Sequence, residues 1–135
     1  VGLGYLRAGQ GCHTYSGGEL QRLKISGIFL HPTKRKVLYV LDEPTTGLHA
    51  GEVRQLLFLF GQMILRGHTV LVIEHHPEVL AACDYLIELG PGGGDKGGEV
   101  VFEGSPRDLI SRKDSPTAPY LKGLFNSSPL KLGGS

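Results

Sequence analysis

The sequence predicts an α/β fold with a mostly parallel sheet flanked by helices. Three observations carry that expectation. Short continuous apolar runs are bounded by turn residues, helix-period stretches alternate with them, and two of the apolar runs end in acidic or histidine residues. Residues Glu19 to Leu30 bring Leu20, Leu23, Gly27, Ile28 and Leu30 near one face, which reads as a helix. A polar loop follows at Pro32 to Lys36, then Val37 to Leu41, an apolar run suited to a strand buried on both faces. Val53, Leu56, Leu57, Phe60 and Ile64 form the stripe of a long helix that ends at Gly67. Thr69 to Ile73 is a second buried strand, and Pro77 to Cys83 a short helix with proline at its start. Asp84 to Leu89 and Glu99 to Glu103 read as two further strands joined as a hairpin by the glycine-rich Gly90 to Gly98. Ser105 caps a helix that begins with Pro106. From Asp114 the composition turns to Ser, Pro, Lys and Gly. Tyr120, Leu121, Leu124 and Phe125 suit one docked turn, and Ser127 to Ser135 a disordered tail. The expected division is therefore 1–113 as the folded α/β part and 114–135 as a largely flexible extension.

Composition narrows the function classes. The chain has 135 residues, 40% hydrophobic and 20% charged, the profile of one globular domain or part of one. Glycine, at 21 residues, is far above its ordinary ~7% share. Fourteen basic against 13 acidic side chains leave a net charge of +1, so charge alone does not mark a stand-alone nucleic-acid binder. Even the longest apolar runs, such as Leu56 to Phe60, fall far short of the ~20 residues of a membrane span. Val1 to Gly4 resembles no signal peptide, and Cys12 and Cys83 make neither a disulfide framework nor a metal cluster. The expectation is a cytoplasmic chain with no membrane partner. Its start at valine, inside a glycine-rich phrase, predicts a fragment of a longer protein.

Three sites carry chemistry. In Ser16-Gly17-Gly18-Glu19-Leu20-Gln21-Arg22, a capping box accounts for Ser16 and Glu19 but leaves two glycines unexplained. Glycine costs ~1 kcal/mol relative to alanine within a helix, and the pair makes sense if bare N–H groups must approach an anion. In Leu38 to Pro44, Asp42 and Glu43 end an apolar strand, where α/β sheets place ligands. Asp42 suits Mg²⁺, which takes one or two carboxylates together with water and phosphate oxygens. Glu43 is placed to orient or deprotonate an attacking water; the bland alternative is a turn-capping pair before Pro44. In Val70 to His76, His75 follows the second strand and would share that rim, against the plainer reading of a turn residue. A phosphate loop, Gly-x-x-x-x-Gly-Lys-[Ser/Thr], is not present. Its nearest approach, Gly90 to Gly97, has Asp95 and Gly97 at the wrong positions and precedes a strand.

Taken in this order, the three motifs resemble those of the ATP-binding-cassette (ABC) ATPases: the signature motif at Ser16 to Glu19, the Walker B strand at Leu38 to Glu43, and the switch histidine at His75. Val1 to Leu6, Gly9-Gln10, Ser16 to Arg22, Leu41 to His49 and Leu89-Gly90-Pro91 are more narrowly similar to the C-terminal cassette of the UvrA family of bacterial nucleotide-excision repair. Transporters usually carry Ser-Ala-Leu-Asp where this chain has Thr46-Gly47-Leu48-His49. The likeness covers roughly residues 1 to 113. Tyr15, Leu20 and His76 depart from the family's usual leucine, alanine and asparagine, and none of the three removes a group assigned to chemistry.

The resemblance implies the C-terminal part of an ABC-type P-loop ATPase domain, in which nucleotides are sandwiched between two cassettes. Asp42, with Mg²⁺, and Glu43 and His75 would serve the ATP of this cassette's own phosphate loop. Ser16, Gly17 and Gly18 would complete the opposite site. It further implies partners: the other cassette of the same chain, a second copy in a homodimer, UvrB and damaged double-stranded DNA. Zinc would belong to family regions outside this sequence. Three other readings remain open: a UvrA-like paralogue in drug self-resistance, a catalytically silent clamp, and a transport ATPase, the last opposed by Thr46 to His49.

Overall fold

The computed structural model describes residues 27, 33–90 and 97–127. The helix expected over 19–30 and the Ser16-Gly17-Gly18 phrase lie outside the described residues, Gly27 excepted, which is helical and buried. The chain divides into two compact units, Val1–Glu74 and His75–Ser135. That division falls within the stretch read from sequence as one folded part.

The first unit holds a βαβ arrangement. Strand β1 (Leu38–Asp42) and strand β2 (Thr69–Ile73) pair in parallel, with Leu38 opposite Thr69 and Asp42 opposite Ile73. Helix α1 (Ala50–Leu65) makes the crossover that parallel strands require. It begins at His49, whose Nδ1 accepts the Glu52 N–H (3.3 Å) while the Glu52 carboxylate accepts the His49 N–H (3.2 Å). This is the reciprocal capping box, with histidine in the place usually held by serine or threonine. The helix ends at Arg66, and Gly67 takes a φ of +86°, a left-handed exit that glycine adopts without strain.

Val53, Leu56, Phe60 and Met63 are buried along α1, and Leu56, Phe60 and Met63 pack with Tyr39 and Leu41 of β1, with Val70 and Val72 alongside. Ile64, expected on the inner stripe, is 46% exposed; Met63 takes its place. Positions 53, 56, 60 and 63 form an arc of the helix surface, and position 64 lies just past its edge. The residue before β1, Val37, gives its N–H to Nδ1 of buried His68 (3.2 Å), whose ring stands edge-on to Tyr39.

Burial of β1 and β2 on both faces is the expectation that fails. Tyr39 and Leu41 are buried, but Leu38, Val40, Leu71 and Ile73 are about half exposed. The reason is that α1 covers one face of the two-stranded ribbon, and nothing among the described residues of this unit covers the other.

The second unit opens with helix α2 (Pro77–Ala82), followed by strand β3 (Leu86–Leu89) and strand β4 (Val100–Gly104), paired antiparallel as the hairpin reading expects. Helix α3 (Pro106–Leu109) starts on Ser105, whose Oγ accepts the Asp108 N–H (3.2 Å). Helix α4 (Ala118–Ser127) is longer than the single docked turn expected. Its Ala118 and Leu121 join Leu86 and Leu109 in the unit's core, so this part of the extension read as largely flexible is packed. Buried Glu88 of β3 accepts the Ser115 hydroxyl (2.9 Å), and Ser115 in turn accepts the Ala118 N–H (3.0 Å), which fastens the start of α4 to the sheet.

Candidate functional site

The carboxyl end of β1 is where the predicted acidic pair sits. Asp42 is the last residue of the strand and Glu43 the first beyond it, and both are exposed. The Glu43 N–H donates to the Ile73 carbonyl (2.8 Å), so the parallel ladder runs one step past the strand and fixes where Glu43 leaves the sheet.

Glu43 has a φ of +44°, the one non-glycine residue with positive φ among those described. Side chains with a Cβ avoid this region, and a residue before proline is pushed towards extended backbone with negative φ. Such conformations cost on the order of 1–3 kcal/mol and persist where the surroundings over-determine them.

Two consecutive turns lead from Glu43 to α1. The Thr46 N–H bonds to the Glu43 carbonyl (3.2 Å), closing a turn with Pro44 at its second position. The Leu48 N–H bonds to the Thr45 carbonyl (3.0 Å), and this turn needs a positive φ at its third position, which Gly47 supplies at +77°. Pro44 and Thr45 are buried against the unit while Asp42, Glu43, Thr46 and Gly47 face outward.

Thr45 is held by Glu74, the residue that follows β2. One carboxylate oxygen of Glu74 accepts both the Thr45 N–H (2.9 Å) and the Thr45 hydroxyl. Sequence reasoning assigned neither residue a role. The signal was present: a carboxylate directly after an apolar strand is partly buried and needs donors, but the neighbouring histidine drew the functional reading.

His75 is exposed and opens the second unit, so the geometry of the first unit covers Asp42, Glu43, Thr45 and Glu74. Ser16, Gly17 and Gly18 lie outside the described residues. A shallow depression on α1, lined by Gly51, Arg54, Gln55, Phe58 and Leu59, includes none of the predicted site residues. Among the described residues no three His, Cys, Asp or Glu side chains cluster as a metal cage. Asp42, an exposed single carboxylate at a strand end, has the donor chemistry of a Mg²⁺ that also takes water and phosphate oxygens, not that of a metal enclosed by protein. No helix among the described residues is long and apolar enough to cross a membrane.

No protein-family model matches the chain. Individual proteins do. UvrABC system protein A of Rickettsia typhi is 48% identical over 122 residues, which is 90% of this chain and 13% of that protein. Its counterpart in Brucella abortus is 46% identical over 129 residues, 96% of this chain and 13% of that protein. The Chlamydia trachomatis counterpart is 48% identical over 132 residues, 98% of this chain and 7% of that protein. The crystal structure of UvrA2 from Deinococcus radiodurans superposes with a TM-score of 0.72 at 36% identity, covering 86% of this chain and 14% of that one. The chain thus spans only about an eighth or less of the length of these relatives. The βαβ unit ending in Asp42-Glu43 and the sequence likeness lead to one conclusion: this chain belongs, as a segment of an ABC-type ATPase domain, to the UvrA family.

Proposed function

We propose that the segment supplies the water-activating edge of an ATPase site in a UvrA-type protein, whose ATP turnover drives recognition of damaged double-stranded DNA and loading of UvrB. The observation that carries this is the placement of Asp42 and Glu43 at the carboxyl end of a parallel strand, with Glu43 in a strained backbone conformation. Ligands of open α/β sheets bind at that end, and strain of this kind collects at functional sites.

In this reading Asp42 holds Mg²⁺, which neutralises charge on the β- and γ-phosphates. Glu43 accepts a proton from the water that attacks the γ-phosphate, and His75 hydrogen-bonds the phosphate or that water. Ser16, Gly17 and Gly18 present a helix start to the nucleotide of the opposing cassette. The partners proposed are the other cassette of the same protein, a second copy, UvrB and damaged DNA, in the cytoplasm. The names of the relatives support the repair reading, since each is the A protein of the UvrABC system.

The 135 residues contain the acidic pair but no phosphate loop. The isolated chain is therefore expected to turn over no ATP, because no nest of N–H groups and no lysine hold the phosphates. In the full-length protein Glu43→Gln should keep ATP binding and slow hydrolysis at least ~10²-fold, the low end for a positioned base. Single-turnover hydrolysis at the wild-type rate would return Glu43 to the role of a turn residue.

A further inference from the structure

The clamp between Glu74 and Thr45 takes no part in the chemistry just described, yet it acts on the same turn. We propose that Glu74 is a positioning residue: by gripping Thr45 it holds Glu43 in the positive-φ conformation from which its carboxylate reaches the attacking water. This inference rests on the reading of Glu43 as the water-activating group.

Three tethers meet at the turn. The Glu43 N–H is tied to Ile73, and the Thr46 N–H is tied back to the Glu43 carbonyl. The first anchors the peptide before Glu43 to β2, and the second only closes the turn on itself and moves with it, so neither anchors the far side of Glu43 to the sheet. The third tether is different. Thr45 sits inside the turn, two residues beyond Glu43, and is fixed through both its amide and its hydroxyl to one oxygen of Glu74. With the intervening Pro44 buried and its own φ locked by its ring, fixing Thr45 leaves Glu43 as the place where the chain must absorb the change of direction.

Hydrogen bonds to an ionised acceptor are the stronger kind, and this one is only partly exposed to water. Removing it would let the turn relax towards negative φ, which swings the Cα–Cβ bond of Glu43 away from its present direction. Nucleotide contacts made elsewhere would not change. A defect in the turnover step, with binding intact, is the signature to look for. A misplacement of about 1 Å in a reacting group costs on the order of 10²-fold.

The test uses the full-length protein, with ATP turnover, ATP binding and nucleotide-free melting measured for Glu74→Ala, Glu74→Gln, Thr45→Val, Thr45→Ser, the Glu74→Ala/Thr45→Val pair, and Glu43→Gln. Glu74→Ala should lower kcat at least ~10-fold while KM for ATP stays within ~3-fold. Glu74→Gln keeps a carbonyl oxygen for both donors and should recover most of the loss, as should Thr45→Ser relative to Thr45→Val. The double variant should be no worse than Glu74→Ala alone, since Thr45→Val removes only the hydroxyl bond, one of the two that Glu74→Ala already removes. A kcat for Glu74→Ala within twofold of wild type, or effects of Glu74→Ala and Thr45→Val that multiply, would overturn the inference. If Glu74→Ala does not fold, Glu74→Met, which keeps the bulk but offers neither donor an oxygen, decides by the same criterion, and a wild-type kcat there overturns the inference equally. Full turnover in Glu43→Gln would instead defeat the underlying ATPase reading, so the two failures are told apart.

Discussion

In the full-length protein, Glu43→Gly should leave the turn after β1 harder to open than Glu43→Ala does, while either substitution slows ATP turnover at least ~10²-fold. Glu43 carries both a carboxylate and a positive φ of +44°, and the two can be separated by comparing Glu43→Ala with Glu43→Gly. Both variants lose the carboxylate and whatever the side chain touches. Only alanine keeps the Cβ that disfavours this backbone region. A Cβ at positive φ costs ~1–2 kcal/mol, whereas glycine gives back ~0.5–1 kcal/mol through its greater freedom in the open state. The difference leaves glycine ahead of alanine by roughly 0.5–1 kcal/mol.

The Thr46 amide is the reporter, because it bonds to the Glu43 carbonyl and exchanges with solvent when the turn opens. Its hydrogen exchange should be about two- to fivefold slower in Glu43→Gly than in Glu43→Ala, while kcat falls at least ~10²-fold in both. Leu48, bonded to the Thr45 carbonyl, should follow in the same direction by less. Equal or faster exchange in the glycine variant would refute the claim that Glu43 stores strain. Hydrolysis within tenfold of wild type in either variant would refute its role as the proton acceptor.

Other substitutions check neighbouring parts of the argument. His49→Ala should cost about 1 kcal/mol by removing the α1 cap, whereas His49→Asp should hold or gain stability, since aspartate accepts the same N–H and suits the helix N-terminus; melting curves of the two variants decide it. Gly67→Ala forces a Cβ onto a φ of +86° at the α1 exit and should lower stability by about 1 kcal/mol, although that Cβ would meet only Lys36 Cε at an unstrained 4.0 Å. Burial, and secondarily the charge of Asp84, push the Cys83 thiol above its ordinary range. In a Cys12→Ser background, Cys83 should therefore alkylate more slowly at pH 8 than a free cysteine and speed up only as the pH rises further. Asp84→Asn should shift that rise to lower pH, and an unshifted profile would remove the charge from the account.

What the sequence discloses and what it hides follow from the range of the interactions. The apolar runs at 37–41 and 69–73, the stripe of α1 and the Ser105 cap are local patterns, and each was legible. The length of α4 was not. Ser115-Pro116-Thr117-Ala118-Pro119 has the composition of a flexible tail, but Pro119 stands in the first turn of the helix, where proline is tolerated, and the Ser115 hydroxyl accepts the N–H of its first residue, Ala118. What turns that phrase into structure is Glu88, 27 residues earlier, and no window of sequence contains both.

The same holds at the site itself. Asp42 and Glu43 announced themselves because they end a strand, whereas Glu74 and Thr45 are 29 residues apart and meet only through the register of two parallel strands. That register is not free to vary. Tyr39 and Leu41 point into the core and Val40 away from it, so a slip of one residue would bring the wrong face of one strand against α1. Burial of Tyr39, Leu41, Val70 and Val72 therefore fixes Asp42 opposite Ile73, and the next residue on β2 is the carboxylate that reaches Thr45. An apolar core chosen for packing thus determines where the Glu43 carboxylate stands.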